Sequence, residues 1–305
     1  MGEIYRTKDG ALQGRAQAEG PPDSVPALVD RVSLELLQSG ALGPAEGVSP
    51  RGVGELFTHS LPALRAYLSG EEKFRSFQPQ RAIPDFQQAV REDSTFALAL
   101  SKLALATQWS ASPHTLFRLP DDPLDRAHRF SAHLGQREQQ MIEGMWQAEH
   151  RWTEALGTFQ RLTSDHPDDA LAWFLYGDAL FHLAGAAQVA GDGARTALQR
   201  SVTLDPGFGP AYLHLVEDAF DRGDSAEASN YVNALWAIDS SAPRAIGLGI
   251  ARDVVWGGDR LRQAALQRLD TALDEAALPA KHAMNLTMDV GDRTLAIIER
   301  ITRNP

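Results

Sequence analysis

The chain has 305 residues, 43% of them hydrophobic and 23% charged, with a formal net charge of −11 at pH 7 and no cysteine. A chain of this length suits one elongated repeat domain or two globular ones, and the missing cysteines exclude disulfides, thiolate metal sites and cysteine nucleophiles. The acidic balance disfavours a nucleic-acid partner, whose phosphates it would repel, and no apolar run approaches the roughly 18 residues of a membrane span.

The N-terminal stretch reads as an incomplete α/β segment over residues 1–39. Ile4-Tyr5-Arg6 and Ala11 to Ala18 flank Asp9-Gly10, the composition of a β-hairpin turn. Asp23 or Ser24 can cap a helix that carries Val25, Leu28, Val29, Val32 and Leu36 on one face and runs through Gln38. SGALGPAEGVSPRG then has the composition of a linker, placed at 40–58. The opening MGEIYRTKDG lacks the apolar core of a signal peptide, so a cytoplasmic location is the default expectation.

Residues 59–305 read as helical repeats. LPALRAYLSGEEKFRSFQPQRAIPDFQQAVREDS puts Gly70 at the small position of a first helix. Ala82, Phe86 and Ala89 mark the second helix, with Pro84 expected in or near its first turn and Asp93-Ser94 at its end. Ala104 follows Gly70 by 34 residues. From Ser110 to Leu134 the pattern loosens into a long connection and an off-register helix. Gly144, Trp152, Ala155, Phe159 and Pro167 then restore the template.

The next two units are the clearest. ALAWFLYGDALFHLAG followed by ARTALQRSVTLDP carries Trp173, Gly177, Ala194, Leu198 and Ser201, and stops at Asp205-Pro206. PAYLHLVEDAFDRGDSAEASNYVNALWAIDSS answers with Tyr212, Val216, Ala228, Val232 and Asp239-Ser240. Pro206 and Ser240 lie 34 residues apart, the tetratricopeptide period. Ala194 and Ala228 are the residues expected where the paired helices cross closely, and Trp152 and Trp173 are expected to pack. The step from Pro167 to Pro206 is 39 residues, so the Trp173 unit holds five extra, placed in GAAQVAGDG. After Ser241 the match fades into two degenerate hairpins, as terminal caps do. The expected fold is therefore mainly α: a tetratricopeptide-like α-solenoid of helix–turn–helix repeats with a short N-terminal hairpin and helix.

LPALRAYLSGEEKF, FQQAVREDSTFALALSKLALA and AWFLYGDALFHLAG resemble the C-terminal tetratricopeptide regions of bacterial membrane-anchored serine/threonine kinases and related signalling proteins. DGALQGRAQAEGPPDSVPALVDRVSLELL resembles the end of the α/β segment that often precedes them. The resemblance implies a sensing or docking role, and an extracytoplasmic place if the chain belongs to a membrane kinase. Kinase activity does not carry over, because the chain has no Gly-rich loop, His-Arg-Asp or Asp-Phe-Gly.

No Walker loop, His-Glu-x-x-His or Gly-x-Ser-x-Gly occurs either. The expectation is a non-enzymatic module without cofactor or metal that binds a protein or peptide on its concave face. First helices line that face in this repeat class. The template places Tyr67, Glu71, Phe74 and Lys102 there, then Phe174, Asp178, Phe181 and His182, then His214, Glu217 and Asp221. Aromatics beside carboxylates suit a peptide with basic and apolar side chains; the plainer alternative is that Asp178, Glu217 and Asp221 form a solvated face. Two other functions compete. One is a ligand-sensing regulatory domain of a kinase-type system. The other is a metal-dependent hydrolase built on His214 and Asp218, four apart on one helix, with His182 of the preceding unit.

Overall fold

A computed structural model of the chain describes residues 2–5, 12–20, 32, 58–110, 122–187 and 192–270. The first two of these segments pair as an antiparallel hairpin, β1 (Gly2–Tyr5) with β2 (Leu12–Ala16). Glu3 faces Arg15 across the ladder, and the Arg15 Nε donates to Glu3 Oε1 at 2.6 Å. The register shifts between Ile4 and Tyr5. The Asp9-Gly10 turn lies outside the described residues, as does the helix expected at 25–38 apart from Val32, which is helical.

All other regular structure described is helical. The helices run α1 (Leu61–Arg75), α2 (Pro79–Glu92), α3 (Ala97–Ser110), α4 (Pro123–Phe130), α5 (Gln136–His150) and α6 (Trp152–Asp165). They continue with α7 (Ala170–Ala187), α8 (Gly193–Leu204), α9 (Gly209–Asp221), α10 (Ser225–Asp239), α11 (Pro243–Trp256) and α12 (Asp259–Asp270). A 3-10 turn at Ser131–His133 extends α4, the off-register helix. The first of the two degenerate hairpins is α11 with α12; the second falls outside the described residues. The fold is mainly α and built of tetratricopeptide-like helical hairpins.

Contacts among the described residues define two compact units. The first draws on residues 1–70, 83–105 and 118–142, the second on 71–82, 106–117 and 143–305. In the first, a Cβ added to Gly70 would stand 2.6 Å from the Phe86 ring. Tyr67 packs between Phe86 and Phe96, with ring centroids 5.9 and 5.1 Å away. Only a residue without a side chain lets the phenyl ring of α2 lie against the α1 backbone.

The second unit repeats this device. A Cβ on Gly144 would meet the Phe159 ring at 2.5 Å, and one on Gly177 would meet Leu198 Cγ at 2.7 Å. The close approach is thus between the glycine and the large residue of the second helix. This corrects the expectation for Ala194, which is only half-buried. Where the template glycine is replaced by Val216, the opposed position carries Val232, and both are fully buried. Gly with Phe or Leu, and Val with Val, share out similar volume across the same contact.

Three of the stops between repeats share one chemistry. Asp93, Asp205 and Asp239 each accept, through Oδ1, the backbone N–H two residues on: Thr95 at 3.0 Å, Gly207 at 3.1 Å and Ser241 at 2.8 Å. The N–H of Phe96, Phe208 and Ala242 in turn donates to the carbonyl of that aspartate. Short carboxylates satisfy turn backbone in this way and so end one helix and launch the next. The template aromatics clamp the turns that precede their own helices. Trp173 Nε1 donates to the Pro167 carbonyl at 2.9 Å, and the Tyr212 hydroxyl donates to the Pro206 carbonyl at 3.1 Å, each six residues back. Trp173 is half-buried rather than a core plug. The Trp152 side chain lies outside the described residues.

Two further details concern Pro84 and the Trp173 unit. Pro84 is the sixth residue of α2, past its first turn, and sits on the exposed side. The extra residues of the Trp173 unit lengthen α7 to 18 residues, against 13 for α9.

The core of the second unit draws on distant sequence. Phe74 from the end of α1, Phe77 from the turn after it and Trp109 from the end of α3 pack with Phe174 and Phe208. Arg75 reaches Asp205 at 2.5 Å, Gln78 donates to Asp239, and Arg244 donates to the Trp109 carbonyl. The repeats of this unit are therefore tied by non-local contacts as well as by stacking on their neighbours.

Candidate functional site

The second unit holds a cleft of about 320 Å³ lined by the ends and inner faces of first helices. Gln108 and Trp109 come from α3, Asp178, Phe181 and His182 from α7, Leu213, His214 and Glu217 from α9, and Arg244 from α11. Helical spacing explains the grouping. Asp178 and His182 are one turn apart, as are His214 and Glu217, so each pair shares a face. Asp178 follows Gly177, whose contact with Leu198 fixes how close α7 lies to α8.

Asp178 and Glu217 follow the template positions of Gly177 and Val216, so successive repeats place two carboxylates side by side. His214 lies between them. Its Nδ1 donates to Glu217 Oε2 at 2.6 Å and its Nε2 to Asp178 Oδ1 at 2.9 Å. A ring that donates from both nitrogens is an imidazolium. Burial alone would push this group down, but the Glu217 charge, the hydrogen bonds to Asp178 and Glu217, and the Asp178 charge push it up from 6.5 to about 9. Its side chain is 5% exposed and that of Glu217 is 6% exposed. Phe181 stacks on the ring with centroids 4.2 Å apart and an interplanar angle of 24°, and Trp109 meets it edge-on at 5.4 Å. The cation is thus held by two carboxylates in the ring plane and by aromatic faces above.

His182 stands at the rim, with 57% of its side chain exposed and its Nε2 3.7 Å from Asp178 Oδ1. Asp178, His182 and His214 each offer one ligand atom, all within 4.8 Å of one another. Asp218 does not join them. It faces outward to Arg222 at 2.9 Å and Arg195 at 3.4 Å. The pairing of His214 with Asp218 expected from their spacing is replaced by His214 with Glu217 and Asp178.

Of the residues assigned to a partner-binding face, Asp178, Phe181, His182, His214 and Glu217 meet at this cleft. Phe74 and Phe174 are buried core of the same unit and present nothing to a partner. Glu71 is half-buried and Asp221 is exposed. Tyr67 and Lys102 belong to the first unit, where Tyr67 is half-buried and Lys102, 3% exposed, is interior. The template places first-helix residues on an inner face but cannot say how much of that face is already filled. Sequence reasoning missed Gln108, Trp109 and Arg244, whose roles depend on α3 and α11 reaching the same place.

No family model matches the chain, and no curated protein matches its sequence. Among solved structures, it is similar to PilW, a widely conserved type IV pilus biogenesis factor, at 16% identity over 77% of this chain and 98% of that one, with a TM-score of 0.43. A human IFIT1 dimer with PPP-AAAA gives 14% identity over 77% of this chain and 63% of that one, again with a TM-score of 0.43. The MamA RS-1 ArsTM double mutant gives 16% identity over 59% of this chain and 96% of that one, with a TM-score of 0.31. Likeness at this level says nothing of function. No helix among the described residues is long and apolar enough to cross a membrane.

Proposed function

We propose that this chain is a non-enzymatic helical-repeat module that binds an extended segment of a protein partner at the cleft over the Asp178–His214–Glu217 bridge. The observation that carries the reading is a preformed concavity whose floor is the His214 bridge to Asp178 and Glu217 and whose walls, Trp109, Phe181 and Leu213, are apolar. Its volume takes one or two side chains, the scale on which repeat surfaces anchor peptides. An apolar or aromatic side chain enters against Phe181. A neighbouring basic side chain meets the exposed carboxylate of Asp221, one turn beyond Glu217 on α9.

The charges favour an apolar anchor over a basic one inside the cleft. Asp178 and Glu217 are offset there by the His214 cation and Arg244. The same lining argues against nucleophilic catalysis by a hydroxyl or thiol. Both His214 nitrogens are engaged, and no serine, threonine, tyrosine or cysteine lines the cleft.

A random-peptide display selected on the wild-type chain tests the reading, with Gln108→Trp as a variant that fills the cleft from an exposed position. Peptides rich in apolar and basic residues that lose about tenfold or more in affinity on Gln108→Trp, with the helical circular-dichroism signal unchanged, are the expected result. Peptides that bind both proteins equally would place recognition elsewhere, and no peptide binding tighter than about 1 mM, or about −4 kcal/mol, would remove the proposal.

A further inference from the structure

We infer that Asp178, His182 and His214 form a binding site for a divalent transition-metal ion of the zinc class, with Glu217 as the carboxylate that orients His214. This goes beyond the proposed peptide binding and does not depend on it.

The donor set is the first argument. Two imidazoles and one carboxylate suit a borderline ion such as Zn²⁺, and three protein ligands leave one position of a tetrahedron open. The geometry is the second. Donors about 2.0–2.1 Å from an ion at tetrahedral angles lie roughly 3.3 Å from each other. Here His214 Nε2 is 2.9 Å and His182 Nε2 3.7 Å from Asp178 Oδ1, and all three ligand atoms fall within 4.8 Å. The largest adjustment falls on His182, whose exposed side chain can make it by rotamer change without disturbing the core. Asp178 and His214 are already held, one beside the Gly177 contact and the other beneath Phe181.

The surroundings are the third argument. Glu217 holds His214 Nδ1 at 2.6 Å and so presents Nε2 toward Asp178 and His182. A ligating histidine whose second nitrogen donates to a carboxylate is the usual support of a protein metal site, because that bond fixes the ring and raises its basicity. On binding, the ion replaces the proton shared by His214 Nε2 and Asp178, and that proton leaves to solvent. Both His214–carboxylate contacts survive in the bound state, one through the ion and one through Nδ1–H. The fourth position faces the cleft and is filled by water.

Cobalt(II) titration of the full-length chain, freed of metal by chelator and dialysis, tests the site. Co²⁺ in a tetrahedral N/O site gives visible absorption bands that the hexaaqua ion lacks, and Zn²⁺ should bleach them at one equivalent. His182→Ala is the decisive variant, because its side chain is exposed and its loss leaves the His214 bridge intact. It should weaken Co²⁺ binding by about tenfold or more while His133→Ala, another exposed histidine, leaves binding unchanged. Glu217→Gln should weaken it by about 10–100-fold if the variant stays helical by circular dichroism. The inference is overturned if wild-type protein gives no tetrahedral bands. It is equally overturned if His182→Ala binds Co²⁺ as the wild type does, which would place the ion at other histidines. Peptide display in chelator and in Zn²⁺ keeps the two proposals apart, since peptide binding in chelator stands whatever the cobalt result.

Discussion

His214 sets the electrostatics of the second unit at the scale of single residues. Two carboxylates forced side by side by the repeat are tolerable in the interior only with a cation between them, and the stacked Phe181 shields that cation from water. Removing the cation alone should be costly. His214→Leu takes the buried cation away from Asp178 and Glu217, and urea denaturation should show a loss of about 3–5 kcal/mol. Adding Asp178→Asn and Glu217→Gln to that variant should restore much of the loss, because no uncompensated charge then remains. A second residue-scale prediction concerns acid. Asp93 is partly buried, which raises its carboxyl. Hydrogen bonds from Thr58 at 2.6 Å and from Thr95 outweigh that and hold it below its ordinary value of 3.8. A carboxylate depressed on folding contributes stability that is fully present above that ordinary value and is lost as pH falls through the folded one. Asp93→Asn should therefore lower stability at neutral pH and flatten its fall below about pH 4, as read from urea midpoints across that range.

Each helical hairpin is specified by a contact and a stop. The contact is glycine against a large residue, and its tolerance is narrow. Gly177→Ala gains about 1 kcal/mol of helix propensity, but the new methyl would meet Leu198 Cγ at 2.7 Å and the Leu198 backbone nitrogen at 3.1 Å. Overpacking of that kind costs about 1–3 kcal/mol, so the variant should be no more stable than wild type and up to about 2 kcal/mol worse by thermal or urea unfolding. In a double-mutant cycle with Leu198→Ala, the combined loss should fall short of the sum by about 1 kcal/mol, since the smaller residue relieves the clash. Val216 with Val232 is the natural version of that compensation. The 34-residue step, the glycines and the Asp stops were all legible in the sequence because local chemistry enforces them. The misplacement of Ala194 has an equally physical cause. Periodicity identifies which residues face the partner helix, but crossing depth depends on pairs of volumes, and those are seen only when both helices are in place.

The second unit departs as a whole from a purely one-dimensional stack, in which each repeat touches only its neighbours. Trp109, 8% exposed, joins Phe74, Phe77, Phe174 and His214, residues spread over 140 positions of chain. Trp109→Ala should cost about 3–5 kcal/mol in urea denaturation. It should also lower stability reported by probes on α7 and α9 together, because one side chain is shared among several repeats. If only the α3 region were affected in hydrogen exchange, the unit would behave as independent repeats and this reading of its core would fail.

The amino-acid sequence by itself determined the mainly helical fold, the repeat period, the turn chemistry at Asp93, Asp205 and Asp239, and the presence of Asp178, His182, His214 and Glu217 on first helices. These follow from short-range rules: helical periodicity, the sterics of glycine, and carboxylates that satisfy turn backbone. Only the tertiary structure decided that Phe74 and Phe174 are core, that His214 bridges Glu217 and Asp178 and leaves Asp218 to the arginines, and that Trp109 and Arg244 complete the cleft. Those outcomes depend on which distant helices share an interior, and burial and charge pairing there are properties of the packed assembly of helices rather than of any one segment.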